Sequence, residues 1–98
     1  MSTRIQSYLI QINPHPFVNF LSVSAKAFSA ESASINIYNE YGNAVHRSEL
    51  DLSPGMNTAE IELPDCPPGV YYLHFKTPVS KLFVIRRLEK IENPVRQN

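Results

Sequence analysis

The stretch Ile61 to Leu88, IELPDCPPGVYYLHFKTPVSKLFVIRRL, constrains this chain most: two apolar alternating runs joined by a short turn, behind a proline-rich corner. In VYYLHFK, Tyr71, Leu73 and Phe75 fall on one face and Val70, Tyr72 and His74 on the other, the period of two that a strand imposes. In KLFVIRR, Leu82 and Val84 alternate with Phe83 and Ile85, so both faces carry apolar groups. That pattern fits a central strand covered on both sides, or one passing near an edge with partial cover. The pair reads as a buried β-hairpin on which everything earlier must pack.

From the start of the chain, Met1 to Arg4 is polar and is expected to fray. IQSYLIQI, with Tyr8, Ile10 and Ile12 alternating, reads as a half-buried first strand. Asn13-Pro14-His15-Pro16 closes it, because neither proline can donate to a ladder. Each proline also pushes the residue before it into an extended conformation, so NPHPF reads as a stiff, extended corner that delivers Phe17 to the core. Val18 to Ala27 resumes alternation, with Leu21, Val23, Ala25 and Ala27 on one face and Phe20, Ser22 and Ser24 on the other.

SAESA is small and polar and reads as a loop able to take one helical turn. In SINIYNEYGNAV, Ile35 and Ile37 alternate with polar neighbours, and NEYGN supplies the Asn and Gly that a hairpin turn requires. The returning strand, Ala44 to Leu52, has a wet, edge-like middle at His46, Arg47 and Glu49. Ser53-Pro54-Gly55 suits a turn. Ala59, Ile61 and Leu63 then alternate with Thr58, Glu60 and Glu62, the cleanest one-face-buried strand. The sum is about seven strands with regular turn signals and no helix-period stretch. That predicts an all-β chain, a sandwich of two antiparallel sheets, with a small barrel as the alternative. The expected limits are a flexible 1–4, a sandwich over 5–88, and an exposed or disordered polar tail over 89–98.

At 98 residues the chain is one domain with a single core. Its net charge is zero, so no global field gathers nucleic acid or an anionic membrane around it. The charge is uneven, however: Lys76, Lys81, Arg86, Arg87, Lys90 and Arg96 crowd the last quarter. Such a cluster either steers a partner or simply solvates strand ends. The single cysteine, Cys66, excludes an internal disulfide. No signal-peptide pattern is present, and no apolar run approaches the roughly 20 residues of a membrane span. If the protein belongs outside the inner membrane, its export signal is expected on a segment not included in this chain.

The candidates for chemistry are sparse. His15, His46 and His74 share no metal-site spacing with one another or with Cys66. PDCPPG lacks a helix behind the thiol to lower its pKa. Glu60 and Glu62 lie on one strand face, as a glycosidase pair might, but such a face is more often solvated. The three glycines, Gly42, Gly55 and Gly69, are each explained by a turn rather than a phosphate loop. Tyr38, Tyr41, Phe20 and Tyr72 could stack on bases or sugars if they shared a sheet face, though acidic neighbours and neutral charge oppose nucleic acid. The reading is therefore non-enzymatic, with no cofactor, no metal, no nucleic acid and no transmembrane segment.

Taken in order, NPHPF, FLSVS, INIYNEYGNAV, a proline-glycine turn with AEIEL, PPGVYYLHF and KLFVIRR resemble the C-terminal sorting domain of type IX secretion substrates, type A. The matching positions are Asn13, Pro14, Pro16 and Phe17, then Ile37, Tyr38 and Gly42, then Gly69 and Tyr71, then Lys81. Each is a common feature of sandwiches; their order and spacing carry the likeness.

The resemblance implies an immunoglobulin-like sandwich of seven strands whose work is recognition. In such systems the cargo crosses the inner membrane on an ordinary signal peptide. The folded domain then addresses it to an outer-membrane translocon, and a sortase removes the domain at the surface. The partners implied are those translocon and sortase proteins, and the destination is the periplasm, then the cell surface or the medium. Without export the chain would be cytoplasmic. The readable surface is expected at the last strand and its basic end, at Lys81, Arg86 and Arg87. The alternative is a stand-alone sandwich that binds a protein or carbohydrate through an exposed sheet face, marked by an aromatic patch or an unpaired edge strand.

Overall fold

A computed structural model describes residues 10–92 of the chain. Seven strands run through them: β1 (Ile10–Asn13), β2 (Phe20–Ala27), β3 (Glu31–Asn39), β4 (Ala44–Leu52), β5 (Gly55–Glu62), β6 (Gly69–Thr77) and β7 (Leu82–Lys90). All ladders are antiparallel, in a three-stranded sheet of order β1-β2-β5 and a four-stranded sheet of order β4-β3-β6-β7. The fold is the expected all-β sandwich. Pairing of β2 with β5, of β3 with β6, and of β6 with β7 gives the crossed connectivity of immunoglobulin-like sandwiches, with β4 added beside β3.

The alternation in the sequence dictates the two layers. Leu21, Val23, Ala25 and Ala27 from one sheet meet Ala33, Ile35, Ile37, Leu73 and Phe75 from the other, all removed from solvent. Burying those rows together is the main driving force available to a helix-free domain of this size. The opposite rows of β2 and β5 are polar except at their ends, Phe20 and Met56, so that sheet has only one way to face the core.

Phe17 is fully buried, and its backbone ties the two layers together. Its N–H donates to the Glu89 carbonyl at 3.0 Å, and its own carbonyl accepts from the Ile91 N–H at 2.8 Å. The NPHPF corner thus anchors the core as expected, but it bends rather than running extended, with the Asn13–Pro14 and His15–Pro16 peptides both cis.

Two further expectations are corrected. SAESA is a loop only at Ser29 and Ala30: Glu31 opens β3, and Ala33 packs into the core opposite Leu50. Cross-strand pairing and burial override the weak local preference of that segment. Of the two readings of the last run, the edge strand with partial cover is the one found, since β7 ends its sheet and leaves Phe83 and Ile85 about half exposed.

The sandwich also does not stop at Leu88. β7 reaches Lys90, whose side chain is buried and whose Nζ donates to the Cys66 carbonyl at 2.6 Å. A lysine can bury its stem and still place its ammonium on an acceptor, which is why a polar-looking tail hid two strand residues. Tyr8, the segment 1–4 expected to fray and the end of the tail lie outside the described residues.

The PDCPPG corner is held twice. Besides Lys90, the Tyr71 hydroxyl donates to the Pro67 carbonyl at 2.6 Å, a bond of the tyrosine-corner kind. At the other end of the hairpin the Glu31 carboxylate accepts from the Ser80 N–H at 3.1 Å and from its hydroxyl at 2.8 Å. Both ends of the β6–β7 hairpin are therefore fixed by side chains, and its outer surface is presented on a rigid frame.

Candidate functional site

The outward rows of β3, β6 and β7 build the site. Register places Tyr38 beside Tyr72 beside Arg87, then Asn36 beside His74 beside Ile85, then Ser34 beside Lys76 beside Phe83. The result is a patch of rings and aliphatic groups with cations at its rim. Phe83 is 55% exposed, Ile85 50% and Tyr72 36%, so the patch is open to a partner.

Inside it the rings brace one another. The Tyr38 and His74 centroids lie 4.7 Å apart at 52°, and those of His74 and Phe83 lie 5.6 Å apart at 71°. The Lys76 ammonium sits 5.9 Å from the Phe83 centroid. Tilted and edge-on pairs of this kind are favourable packing, but they do not make a flat shelf for a sugar ring or a base. An irregular apolar surface ringed by cations suits a protein partner. Phe20 lies on the other sheet and Tyr41 in the β3–β4 turn, so the four aromatics considered for base stacking do not gather on one face.

The three expected recognition residues do not form one patch. Lys81 sits in the β6–β7 turn, with a left-handed φ of 63° and its N–H donating to the Thr77 carbonyl at 2.7 Å. Arg87 is exposed on the outer row, across from Tyr72. Arg86 belongs to the inner row of β7 and, with Ile12, His15, Arg87 and Leu88, lines an open cleft of about 210 Å³ at the β1–β7 seam. Strand rise alone puts Lys81 roughly 16 Å from Arg86.

Charge clustering in the sequence found the strand and included Lys76, and Tyr38 and Tyr72 stood among the candidate stacking aromatics, but Phe83, Ile85 and His74 were missed as parts of this surface. The signal for Phe83 and Ile85 was present, as the apolar groups on both faces of KLFVIRR.

Most of the resemblance positions serve the fold. Phe17 and Ile37 are core. Gly42 has φ +88° in the β3–β4 turn, where its N–H donates to the Asn39 carbonyl at 3.0 Å. Asn13, Pro14 and Pro16 form the end of β1 and its corner, Gly69 opens β6, and Tyr71 holds Pro67. Tyr38 and Lys81 alone among them lie on or beside the aromatic face.

Two titratable groups are displaced. Burial lowers the pKa of His46, whose Nε2 lies 2.8 Å from the Ser48 hydroxyl on the inner row of β4. Burial, then the nearby Cys66 and Glu40, raises that of Tyr71. Glu60 and Glu62 project from the outer row of β5. Among the described residues no three His, Cys, Asp or Glu side chains come together as a metal site, and no helix is long and apolar enough to cross a membrane.

Fold and site together define a β-sandwich recognition module. The model of the secretion system C-terminal sorting domain matches residues 11–86, and the chain belongs to that family, the sorting domains of type IX secretion. It is a C-terminal sorting signal, which implies interaction with the secretion machinery and export of a larger precursor to the cell surface or the medium. Such domains are in general non-catalytic.

No curated protein matches the chain. Among solved structures, a β-glucosidase from Listeria innocua in complex with glucose is similar at 12% identity and a TM-score of 0.47, over 83% of this chain. The chain spans 15% of that enzyme's length, and a likeness this loose has no bearing on activity.

Proposed function

We propose that this domain is read as a folded unit by the outer-membrane translocon of the type IX system, without catalysis of its own, and is then the substrate of a surface sortase. The cargo it addresses enters the periplasm on a signal peptide of the precursor and leaves for the surface or the medium. The family match over residues 11–86 carries this reading. What a sorting domain needs is a stable scaffold and a legible exterior, and the braced β6–β7 hairpin with its half-exposed Phe83 and Ile85 supplies both. Within that surface we place Arg87 on the docking face, Lys81 at its rim and Arg86 in the adjoining cleft.

The test is secretion of a fluorescent reporter with a signal peptide at its N-terminus and this chain at its C-terminus. It is run in a type IX-competent bacterium and in a translocon-deficient strain. Reporter at the surface only in the competent strain is the expected outcome. Reporter held in the periplasm of both, with the domain folded, would sink the reading in favour of a stand-alone binding sandwich. Alanine at Lys81, Arg86 and Arg87, singly and together, reports which of the three cations is read.

A further inference from the structure

We propose that the free edge of β7 accepts an extended, acidic segment of a partner protein as an added strand, with alternate side chains of that segment lying against Phe83, Ile85 and Arg87. The inference rests on the recognition reading above and names the form its partner takes. β7 ends the four-stranded sheet, and the described pairing on its far side is the Phe17 bridge at Lys90. An edge strand presents a row of backbone donors and acceptors that another chain can use, and native proteins normally blunt such rows with charge, bulges or brevity.

The other edges are blunted. β4 exposes Arg47, Glu49 and Asp51, of both signs, and its ladder to β3 breaks register between Ile37 and Tyr38. β5 exposes Glu60 and Glu62, and β1 runs at Asn13 into Pro14 and Pro16, which cannot donate to a ladder. β7 is nine residues long, regular in register, and shows Phe83 and Ile85 at successive outward positions. Left exposed, that combination invites pairing; here it has a use.

Geometry and charge define the occupant. Among the described residues nothing pairs with the outer edge of β7 from Leu82 to Leu88, beyond which Phe17 takes over. The added strand's outward row continues the aromatic face beyond Phe83, Ile85 and Arg87. Its inward row enters the cleft lined by Ile12, His15 and Leu88. The exposed charges beside this stretch are Lys76, Lys81 and Arg87; the one acid on β7, Glu89, lies past it, beside Phe17. An acidic segment with alternating apolar residues complements this edge, and a basic one is repelled.

The experiment uses the whole chain, ¹⁵N-labelled, and a capped probe peptide of alternating glutamate and valine at neutral pH. Two further peptides serve as controls: lysine in place of glutamate, and the acidic sequence N-methylated at every second residue. Saturable amide shifts along Leu82 to Leu88 are expected with the acidic peptide. A loss of affinity of at least about tenfold is expected with the basic and N-methylated peptides, and with Ile85→Lys, a half-exposed position whose change leaves the fold intact. Equal binding of the N-methylated peptide would show docking on the face without strand pairing and overturn the proposal. So would an absence of saturable shifts at β7 up to millimolar peptide.

The reporter assay separates this from the sorting reading. No peptide binding with normal secretion refutes strand addition alone. Peptide binding with no secretion refutes sorting alone.

Discussion

The two outer faces of the sandwich are built on the same inner pattern and are otherwise unlike. On the β1-β2-β5 sheet the outward row of the paired strands reads Phe20, Ser22, Ser24 and Lys26 against Glu62, Glu60, Thr58 and Met56, with the Ser24 and Thr58 hydroxyls 3.3 Å apart and the two apolar groups, Phe20 and Met56, at opposite ends. On the other sheet the outward row carries Tyr38, Tyr72, His74, Phe83 and Ile85 side by side, rimmed by Lys76 and Arg87. Both sheets fold for the same reason, the apolar inner row, so the outer row is spared from folding. One chain uses that freedom for solubility on one side and keeps a contiguous apolar patch on the other. A scattered apolar residue such as Phe20 needs no explanation, whereas a patch in register across three strands does.

The strongest way to break this comparison is to make the faces alike. Phe83→Ser with Ile85→Ser is expected to lower surface delivery of the reporter by about thirtyfold or more, as loss of central anchor residues does. Phe20→Ser should change delivery less than about twofold, and both variants should keep their stability to within roughly 1 kcal/mol because these side chains are half exposed. Equal damage from Phe20→Ser in the secretion assay would mean that the aromatic face is not special.

The inner row is predicted to behave in the opposite way. Tyr71→Phe removes the bond to the Pro67 carbonyl, which is part-buried, and leaves that acceptor without its hydroxyl partner. It should cost about 1–2 kcal/mol in urea unfolding. Delivery at a temperature where the variant is still folded should be nearly unchanged. A variant of full stability would show that Lys90 alone fixes the corner.

Much of this was legible in the chain. Strict alternation gave six of the strands and their buried rows because a period of two has one physical meaning when one face is polar. SAESA failed because small residues carry little local preference, and only the pairing of Glu31 with Leu52 and Ala33 with Leu50 makes them a strand. Glu89 and Lys90 failed because a buried lysine looks polar in sequence. The site was half legible. Basic clustering pointed to β7, yet adjacent residues of a strand face opposite ways, so Arg87 lies on the aromatic face and Arg86 does not, the two meeting only in the cleft at the strand's edge. Recognition signals at Phe83 and Ile85 looked like core, since the sequence does not say which strand ends a sheet.

A pH series sharpens the contrast along the four-stranded sheet itself, between the histidine that faces inward and the one that faces outward. His46 is partly buried on the inner row of β4, and that burial lowers its pKa from 6.5. The folded state therefore prefers the neutral ring, and its contribution is fully present above about 6.5, where the unfolded chain is neutral too. It declines as pH falls below that value and is lost as pH passes through the lowered pKa of the fold. The urea midpoint should fall between pH 7.5 and 5, and His46→Gln should remove part of that fall. An unchanged slope in the variant would assign the whole effect to carboxylates.

The smallest effect expected is also the one that best separates fold from recognition at a single residue. Lys81 holds φ 63° in the β6–β7 turn, a region that costs a side-chain-bearing residue roughly 1 kcal/mol and costs glycine little. Lys81→Gly relieves that strain but gives the unfolded chain more freedom. The net gain should be at most about 0.5–1 kcal/mol, a rise of about 2–8 °C in Tm for a domain of this size. The same substitution removes a cation from the rim of the aromatic face. If the secretion machinery reads that charge, delivery falls while Tm rises, two opposite movements that no general loss of structure can produce. If delivery holds while Tm rises, Lys81 belongs to the turn and the cations that matter are Lys76 and Arg87, which flank Phe83 and Ile85 directly.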